Sequence, residues 1–238
     1  MGATSGIGRE VALMLAQRGW KVGIAARRSE QLEALKEMND NIVAYEVIDV
    51  CHDDATAALH RLIDALGGMN LYFHSSGIGF QNIDLDATKE LSTISTNCMG
   101  MARMVGEAFR YFESENNDYS HIAVISSIAR TKGLGAAPAY SASKRFTSHY
   151  LECLEQLKRI RHLTHIYITD IRPGFVRTPL IEGSKFPYQL QAKAVAADIL
   201  KAIDNRKSIV TINTAYRILV WLWKLIPRWI WIRLSWVK

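Results

Sequence analysis

The chain has 238 residues, of which 49% are apolar and 22% are charged. This length and composition suit one large globular domain and exclude disordered, collagen-like and low-complexity chains. Three scattered cysteines exclude a disulfide framework and indicate a reducing compartment, so we expect a cytoplasmic protein. Residues 205–238 contain seven of the 29 basic residues and no acid, and the rest of the chain therefore carries 22 basic against 23 acidic side chains. Because the basic charge is confined to a tail, no nucleic-acid docking face is expected.

Apolar strand-like runs alternate with amphipathic helix-like stretches along the chain. The sequence predicts strands at 21–26, 42–48, 70–75, 121–126, 165–171 and 208–212. Helices are predicted at 7–18, 30–38, 54–66, 89–113, 139–161 and 191–203. Most of the strands are apolar on both faces, as in a parallel sheet covered by helices on both sides. The alternation predicts an α/β fold with a Rossmann-like, doubly wound parallel sheet in one domain, residues 1–213, followed by a distinct tail, residues 214–238.

A glycine-rich loop opens the chain. Three glycines and two polar residues precede a predicted helix, a pattern in which backbone N–H groups approach a pyrophosphate at the helix N-terminus; the candidate cofactor-binding residues are Gly2, Ser5, Gly6, Ile7 and Gly8. A plain turn is the alternative. The strand that would feed this loop is central in a doubly wound sheet, and it is apparently missing. We expect that the recorded sequence starts too late.

Arg27 and Asp49, which follow the first two predicted strands, bear on which cofactor binds. At the end of the next predicted strand, where an acid would bind the ribose of NAD, Ala26 is followed by Arg27. An arginine there accommodates the 2′-phosphate of NADP, so NADP(H) is preferred over NAD(H); a solvated basic pair is the alternative. Asp49 and Val50 directly follow the predicted strand at 42–48, and Asp49 either hydrogen-bonds an adenine edge or caps the next element.

A tyrosine and a lysine one helical turn apart carry the catalytic prediction. Tyr140 and Lys144 share a helix face, Ser127 follows a predicted strand, and Asn97 lies upstream. An ammonium and a helix N-terminus near the phenol are expected to lower the pKa of Tyr140. A tyrosine tuned in this way acts as a general acid or base near neutral pH.

With these motifs, the sequence resembles the short-chain dehydrogenase/reductase family over nearly its whole length to about residue 213. The resemblance implies that Tyr140 transfers a proton, that Ser127 polarises a substrate carbonyl, and that Lys144 binds the nicotinamide ribose. It implies that Asn97 holds a relay water, and it adds three groups of cofactor contacts: Ser76 and Gly77, Pro173 after the predicted strand at 165–171, and Thr178. The segment 74–77 reads His-Ser-Ser-Gly where the family has Asn-Asn-Ala-Gly, so altered cofactor contacts are expected there. Homodimers or homotetramers through the helices at 89–113 and 139–161 are also implied.

These features predict an NADP(H)-dependent oxidoreductase that interconverts a carbonyl and an alcohol of a small-molecule substrate. The alternative is a regulatory or scaffold protein that binds cofactor on the same fold without turnover. No two of the seven histidines lie at metal-ligand spacing on one helix, so no metal site is predicted.

The tail is rich in tryptophan and basic residues. Residues 215–238 hold five of the six tryptophans, and the longest uncharged run there has only six residues, far short of a membrane span of about 20. Pro227 is expected to divide the tail into two short helices. Since its aromatic residues do not share one helix face, we favour peripheral contact with a membrane surface over packing on protein. A lipophilic substrate would suit such a location.

Overall fold

The computed structural model describes residues 1–115, 117–181, 183 and 188–234. A central run of four parallel strands has the order β3 (Leu71–His74), β4 (Ser120–Ile125), β5 (Ile166–Arg172) and β8 (Ile209–Thr211). Beside it, β1 (Val22–Ala26) pairs in parallel with β2 (Ile42–Val47), and β6 (Val176–Arg177) pairs with β7 (Leu190–Gln191) in a small ribbon. The six strands predicted from the sequence are present, and each of their bounds lies within one residue of the predicted one.

Helices cover both faces of the sheet, as apolar strands require. One buried cluster lies under α3 (Ala55–Leu66), α5 (Met101–Ser114) and α6 (Pro138–Ile160), and the other lies under α1 (Gly6–Gln17), α2 (Ser29–Lys36) and α7 (Ala192–Asp204). The remaining helices are α4 (Ala87–Ile94), α8 (Thr214–Leu225) and α9 (Arg228–Trp231). This arrangement confirms the predicted Rossmann-like single domain.

Met1 and Gly2 bridge the space between β1 and β3, where the central strand was expected. The Met1 amine donates to the Phe73 carbonyl at 2.9 Å, and the Gly2 amide donates to the Ala25 carbonyl at 2.8 Å. Behind this bridge lies a small cavity of about 80 Å³, lined mainly by apolar side chains. The two strands flanking the gap are therefore joined by two residues of chain instead of a full strand.

The single helix predicted at 89–113 is wrong. The structure has α4, a π-helical turn at Ser95–Gly100, and α5. A π-helical turn accommodates an extra residue within a helix and is common at functional sites. Here it carries Asn97, whose side chain both accepts from the Ile78 amide at 2.9 Å and donates to the Ile78 carbonyl at 2.7 Å. The π-helical turn is thus tied to the loop after β3 by two hydrogen bonds between Asn97 and Ile78.

The tail forms two helices separated by Pro227, as predicted, and lies against the body through part of its surface. Tyr216 and Val220 of α8 are buried with Ile128. The Trp231 indole donates to the Gly133 carbonyl at 2.7 Å, and Lys132 donates to the Ile226 carbonyl at 2.7 Å. The boundary at residue 213 stays a prediction. No helix among the described residues is long and apolar enough to cross a bilayer.

Candidate active site

A cavity of about 460 Å³ opens at the carboxyl ends of the parallel strands. Ligands bind at this edge in open α/β sheets. Its lining includes every cofactor-binding residue predicted from the sequence: Gly2, Ser5, Gly6, Ile7, Gly8, Arg27, Asp49, Val50, Ser76, Gly77, Tyr140, Lys144, Pro173 and Thr178. Ser127 lines it as well, whereas Asn97 lies immediately behind it, bound to the Ile78 backbone. The fold therefore brings the widely separated motifs into one volume.

The glycine loop forms a narrow backbone turn that side chains would block. A Cβ on Gly8 would lie 2.2 Å from the Gly2 carbonyl oxygen, and one on Gly6 would lie 2.8 Å from the Thr178 methyl carbon. Gly2 and Gly6 also have positive φ values of +78° and +54°. Ser5 caps α1 without a side-chain hydrogen bond, and the first turn of α1 contains no acid. The N–H groups at this helix end are thus available to a phosphate.

Two arginines and one aspartate lie at the far side of the cavity. Arg27 and Arg28 are exposed and line it, and Arg28 donates to the Thr4 hydroxyl at 2.8 Å. Arg28 is thus exposed to solvent and also held at the rim of the cavity. Asp49 accepts from the Cys51 amide at 3.0 Å, so it caps the turn after β2 while also lining the cavity. Both alternatives for Asp49 are compatible with this position.

Tyr140 and Lys144 lie at the start of α6. Pro138 occupies the first turn of this helix, where its missing N–H has no consequence. The Lys144 ammonium is 5.7 Å from the centre of the Tyr140 ring and donates to the Ile125 carbonyl at 3.1 Å. Burial lowers the pKa of Lys144 to about 8, against the opposing effects of Asp170 and Cys98, which raise it.

The expected lowering of the Tyr140 pKa is wrong for this structure. Burial raises the pKa of Tyr140, and a hydrogen bond with Ser127 offsets this only in part. The reason is geometric: Lys144 lies over the ring and binds the Ile125 carbonyl, while the phenol itself has little access to water. The Ser127 hydroxyl also accepts from the Ala129 amide at 3.1 Å, which fixes its position.

The loop after β3 approaches these groups at two glycines. A Cβ on Gly77 would lie 3.2 Å from the Asn97 amide oxygen and 3.3 Å from the Lys144 nitrogen. A Cβ on Gly79 would lie 2.5 Å from the Tyr140 ring. In the changed segment, the Ser75 hydroxyl donates to the Met1 carbonyl at 2.9 Å, so the turn survives with serine in place of asparagine. Gly77 thus brings Asn97 and Lys144 together beside the cavity.

Comparison with known proteins agrees with this geometry. The family model for short chain dehydrogenases matches residues 1–186. The chain belongs to the short-chain dehydrogenase/reductase family. This confirms the resemblance stated from the motifs and the expectation of an oxidoreductase enzyme. An uncharacterized oxidoreductase of Myxococcus xanthus is 36% identical over 192 residues, covering 78% of this chain and 74% of that protein. Dehydrogenase/reductase SDR family member 7B of Bos taurus is 26% identical over 237 residues, covering 89% and 71%.

Solved structures share the fold at low sequence identity. A short chain dehydrogenase/reductase from Burkholderia phymatum in complex with NAD has a TM-score of 0.79 at 21% identity, covering 93% of this chain and 90% of that one. A short-chain dehydrogenase from Sphingobium yanoikuyae in complex with NADPH has a TM-score of 0.78 at 20% identity, covering 95% and 94%. The likeness shows the fold, and the two structures hold different nicotinamide cofactors.

Sequence reasoning missed a buried polar network behind the family's motifs. Asp170 on β5 is 3% exposed and accepts from Arg172 at 2.8 Å and 2.7 Å, through Nε and Nη2. It also accepts a hydrogen bond from Ser126, the neighbour of Ser127. In the register between β4 and β5, Asp170 lies opposite Val124, so Ser126 just beyond the end of β4 can reach the Asp170 carboxylate. In the sequence, the signal for this network was the presence of Asp170 and Arg172 in a strand that is otherwise uncharged and largely buried.

Trp223 of α8 was also missed. It lines the cavity together with Phe80, Leu134 and Leu180, and these residues make one side of the cavity apolar. The segment 179–190 is described only in part, since residues 182 and 184–187 lie outside the described residues. Within this segment, the Tyr188 carbonyl accepts from the Tyr216 hydroxyl at 2.6 Å, so the segment and the tail are joined.

Proposed function

We propose that this enzyme is an NADP(H)-dependent oxidoreductase that interconverts a carbonyl and an alcohol, with Tyr140 as the general acid and base. The observation that carries the proposal is a single cavity in which Ser127, Tyr140 and Lys144 face the glycine loop. Membership of an oxidoreductase family supports turnover over the non-catalytic alternative, which has no use for this set of polar groups.

The residues present fit a nicotinamide dinucleotide. The glycine turn and the uncapped start of α1 would hold the pyrophosphate, because the tight turn, which has no room for a Cβ, leaves the backbone N–H groups at the helix start without side chains in front of them. Lys144 would donate to the nicotinamide ribose, and Thr178 and Pro173 would border the nicotinamide end. When bound, the cofactor supplies or accepts the hydride.

The Tyr140 phenol would supply the proton. Since burial raises its pKa, the hydroxyl is protonated at neutral pH and is ready to donate to a carbonyl oxygen in the reductive direction. Ser127, fixed by the Ala129 amide, would hold that oxygen within reach of the phenol. Asn97, held on the π-helical turn, would position a water for proton return through Lys144.

A preference for NADP(H) is supported by charge. Arg27 and Arg28 follow β1 directly, and Asp49 is the one acid among the described residues that line the cavity. Calorimetric titration with NADPH and NADH tests the preference. We expect Arg27→Ala to weaken NADPH binding about tenfold or more and to leave NADH binding nearly unchanged. Arg18→Ala, on the surface of α1, is the matched control, and equal losses for both cofactors would contradict the proposal.

Partners and location complete the proposal. We propose a cytoplasmic enzyme that touches a membrane surface through residues 215–238 and acts on a small, lipophilic carbonyl or alcohol; its three unpaired cysteines suit a reducing compartment. We also propose a homodimer or homotetramer through α4, α5 and α6. Exposed apolar side chains on α4, on the π-helical turn between α4 and α5, and on α6 support it, namely Leu91, Met99 and Phe146.

The decisive experiment replaces Tyr140 by Phe. Turnover of NADPH with a panel of ketones and aldehydes should fall by about 100-fold to 10,000-fold in kcat/KM, because the proton donor is lost. NADPH affinity should stay within about twofold, since the ring still packs against Gly79. Tyr45→Phe on β2, outside the cavity, is the control. A Tyr140→Phe enzyme with a tenth or more of the original rate would refute the assigned role.

A further inference from the structure

Helix α8 carries two apolar stripes on opposite sides. The inward stripe contains Tyr216, Leu219, Val220 and Trp223, spaced at three and four residues as one helix face requires. Tyr216 lies against Gly174, where a Cβ would be 2.3 Å from the ring. Trp223 packs edge-to-face on Trp231 with ring centres 5.3 Å apart and lines the catalytic cavity. The inward stripe thus fixes the helix as a wall of the active site.

The outward stripe is uncovered. Ile218, Trp221, Leu222 and Leu225 lie on the opposite face of α8 and are 47–60% exposed. Trp229 and Ile232, in and just after α9, are also exposed, with fractions of 61% and 63%. A helix that only packed on the body would need one apolar stripe, and a second exposed one marks an interaction surface. We call these six residues the outer face.

The charges beside the outer face are all of one sign. Arg217, Lys224, Arg228 and Arg233 are exposed, and within the described residues none of them pairs with a carboxylate. No Asp or Glu occurs anywhere between residues 205 and 238. Contact with a second copy of this face would bring eight like charges together, which disfavours self-association. Exposed Trp flanked by Lys and Arg is instead typical of segments at an anionic bilayer surface.

We propose that the outer face docks on an anionic lipid surface and that α8, as the shared wall, lets the active site take its carbonyl or alcohol substrate from that bilayer. The substrate class is therefore an alkyl or polycyclic compound that partitions into lipid. A helix is only about 10 Å wide, so a bilayer bound at the outer face lies close to the cavity that Trp223 lines. Both parts rest on the proposed function and deepen it, and only the substrate part depends on turnover by the enzyme.

Vesicle sedimentation of the full chain tests the docking. We expect binding to phosphatidylcholine vesicles that contain about 30% phosphatidylserine and much weaker binding to pure phosphatidylcholine. Arg217→Gln with Lys224→Gln should lower the partition coefficient about 25-fold, at roughly fivefold per charge. Trp221→Ser with Leu225→Ser should abolish binding, while Val47→Ser with Ile160→Ser, equally exposed apolar positions on the body, should not. Equal binding to both vesicle types, or no binding to either, would overturn the proposal.

Kinetics test the shared wall. With a long-chain ketone dissolved in the vesicles, we expect anionic lipid to raise kcat/KM at least fivefold, and the Trp221/Leu225 variant to lose this gain. The same variant should retain its rate on a short, water-soluble ketone, since neither residue lines the cavity. Binding without any gain in rate would refute delivery from the bilayer. Absence of turnover with both ketones, with or without lipid, would instead count against the proposed function and leave the vesicle-binding result standing.

Discussion

Lys144 should make the enzyme less stable at neutral pH than a variant without the charge. Lys144 is 6% exposed as a residue, and burial lowers its pKa from 10.5 to about 8. In the unfolded chain the same group titrates near its ordinary value. Between these two pKa values the unfolded state holds a proton that the folded state has released, so the free energy of unfolding rises with pH over this window. Below the folded pKa the cost of burying the charge is fully present.

The magnitude follows from the shift. A difference of about 2.5 pKa units corresponds to about 3 kcal/mol. Lys144→Met removes the titration while keeping the length of the buried chain. We expect the unfolding free energy of the wild type, measured relative to Lys144→Met, to increase by about 3 kcal/mol between about pH 7 and pH 10.5. The same substitution should abolish turnover, so stability and activity change in opposite directions.

Urea denaturation of both proteins across this pH range is the assay. Titrations of groups that Lys144 does not influence are common to the two proteins and cancel in the difference, whereas Cys98, whose pKa the Lys144 charge lowers, is replaced by Ser in both proteins. Lys193→Met on α7, an exposed position, serves as the control and should follow the wild-type curve at all pH values. If the difference in unfolding free energy between wild type and Lys144→Met stayed constant from about pH 7 to pH 10.5, the claim that burial lowers the pKa of Lys144 would be refuted.

Three further outcomes are expected. Gly8→Ala should lower NADPH affinity at least 100-fold in calorimetry, because its Cβ would lie 2.2 Å from the Gly2 carbonyl oxygen; unchanged affinity would contradict the loop geometry. Asp170→Asn should cost about 3 kcal/mol in urea denaturation by leaving Arg172 without its carboxylate, and adding Arg172→Met should recover most of that loss. Trp231→Phe should cost about 1 kcal/mol and speed proteolysis of the tail, because the indole no longer donates to Gly133; a tail as resistant as in the wild type would show that this bond does not hold it.

The sequence predicted what depends on local pattern. Strand and helix positions followed from apolar runs, and the convergence of the glycine loop with Tyr140 followed from the rule that parallel strands present one edge to ligands. The Asp170 network escaped because it depends on the register between β4 and β5, which no local pattern displays. The π-helical turn escaped because one extra residue scarcely alters the periodicity of a long helix. The direction of the Tyr140 pKa shift was wrong because a sequence shows neighbours but not their access to water.

The contact between Tyr216 and Gly174 has a practical consequence for anyone who shortens this protein. Removing the tail would discard the exposed tryptophans and should reduce nonspecific adhesion during purification. It would also uncover Ile128, which lies beneath Tyr216, and leave the cavity without the wall that Trp223 provides. A shortened enzyme would lose the exposed apolar surface of the tail but gain a newly exposed apolar surface beside its active site. Replacing outer-face residues by polar ones while keeping the inward stripe is therefore the sounder route to a well-behaved sample.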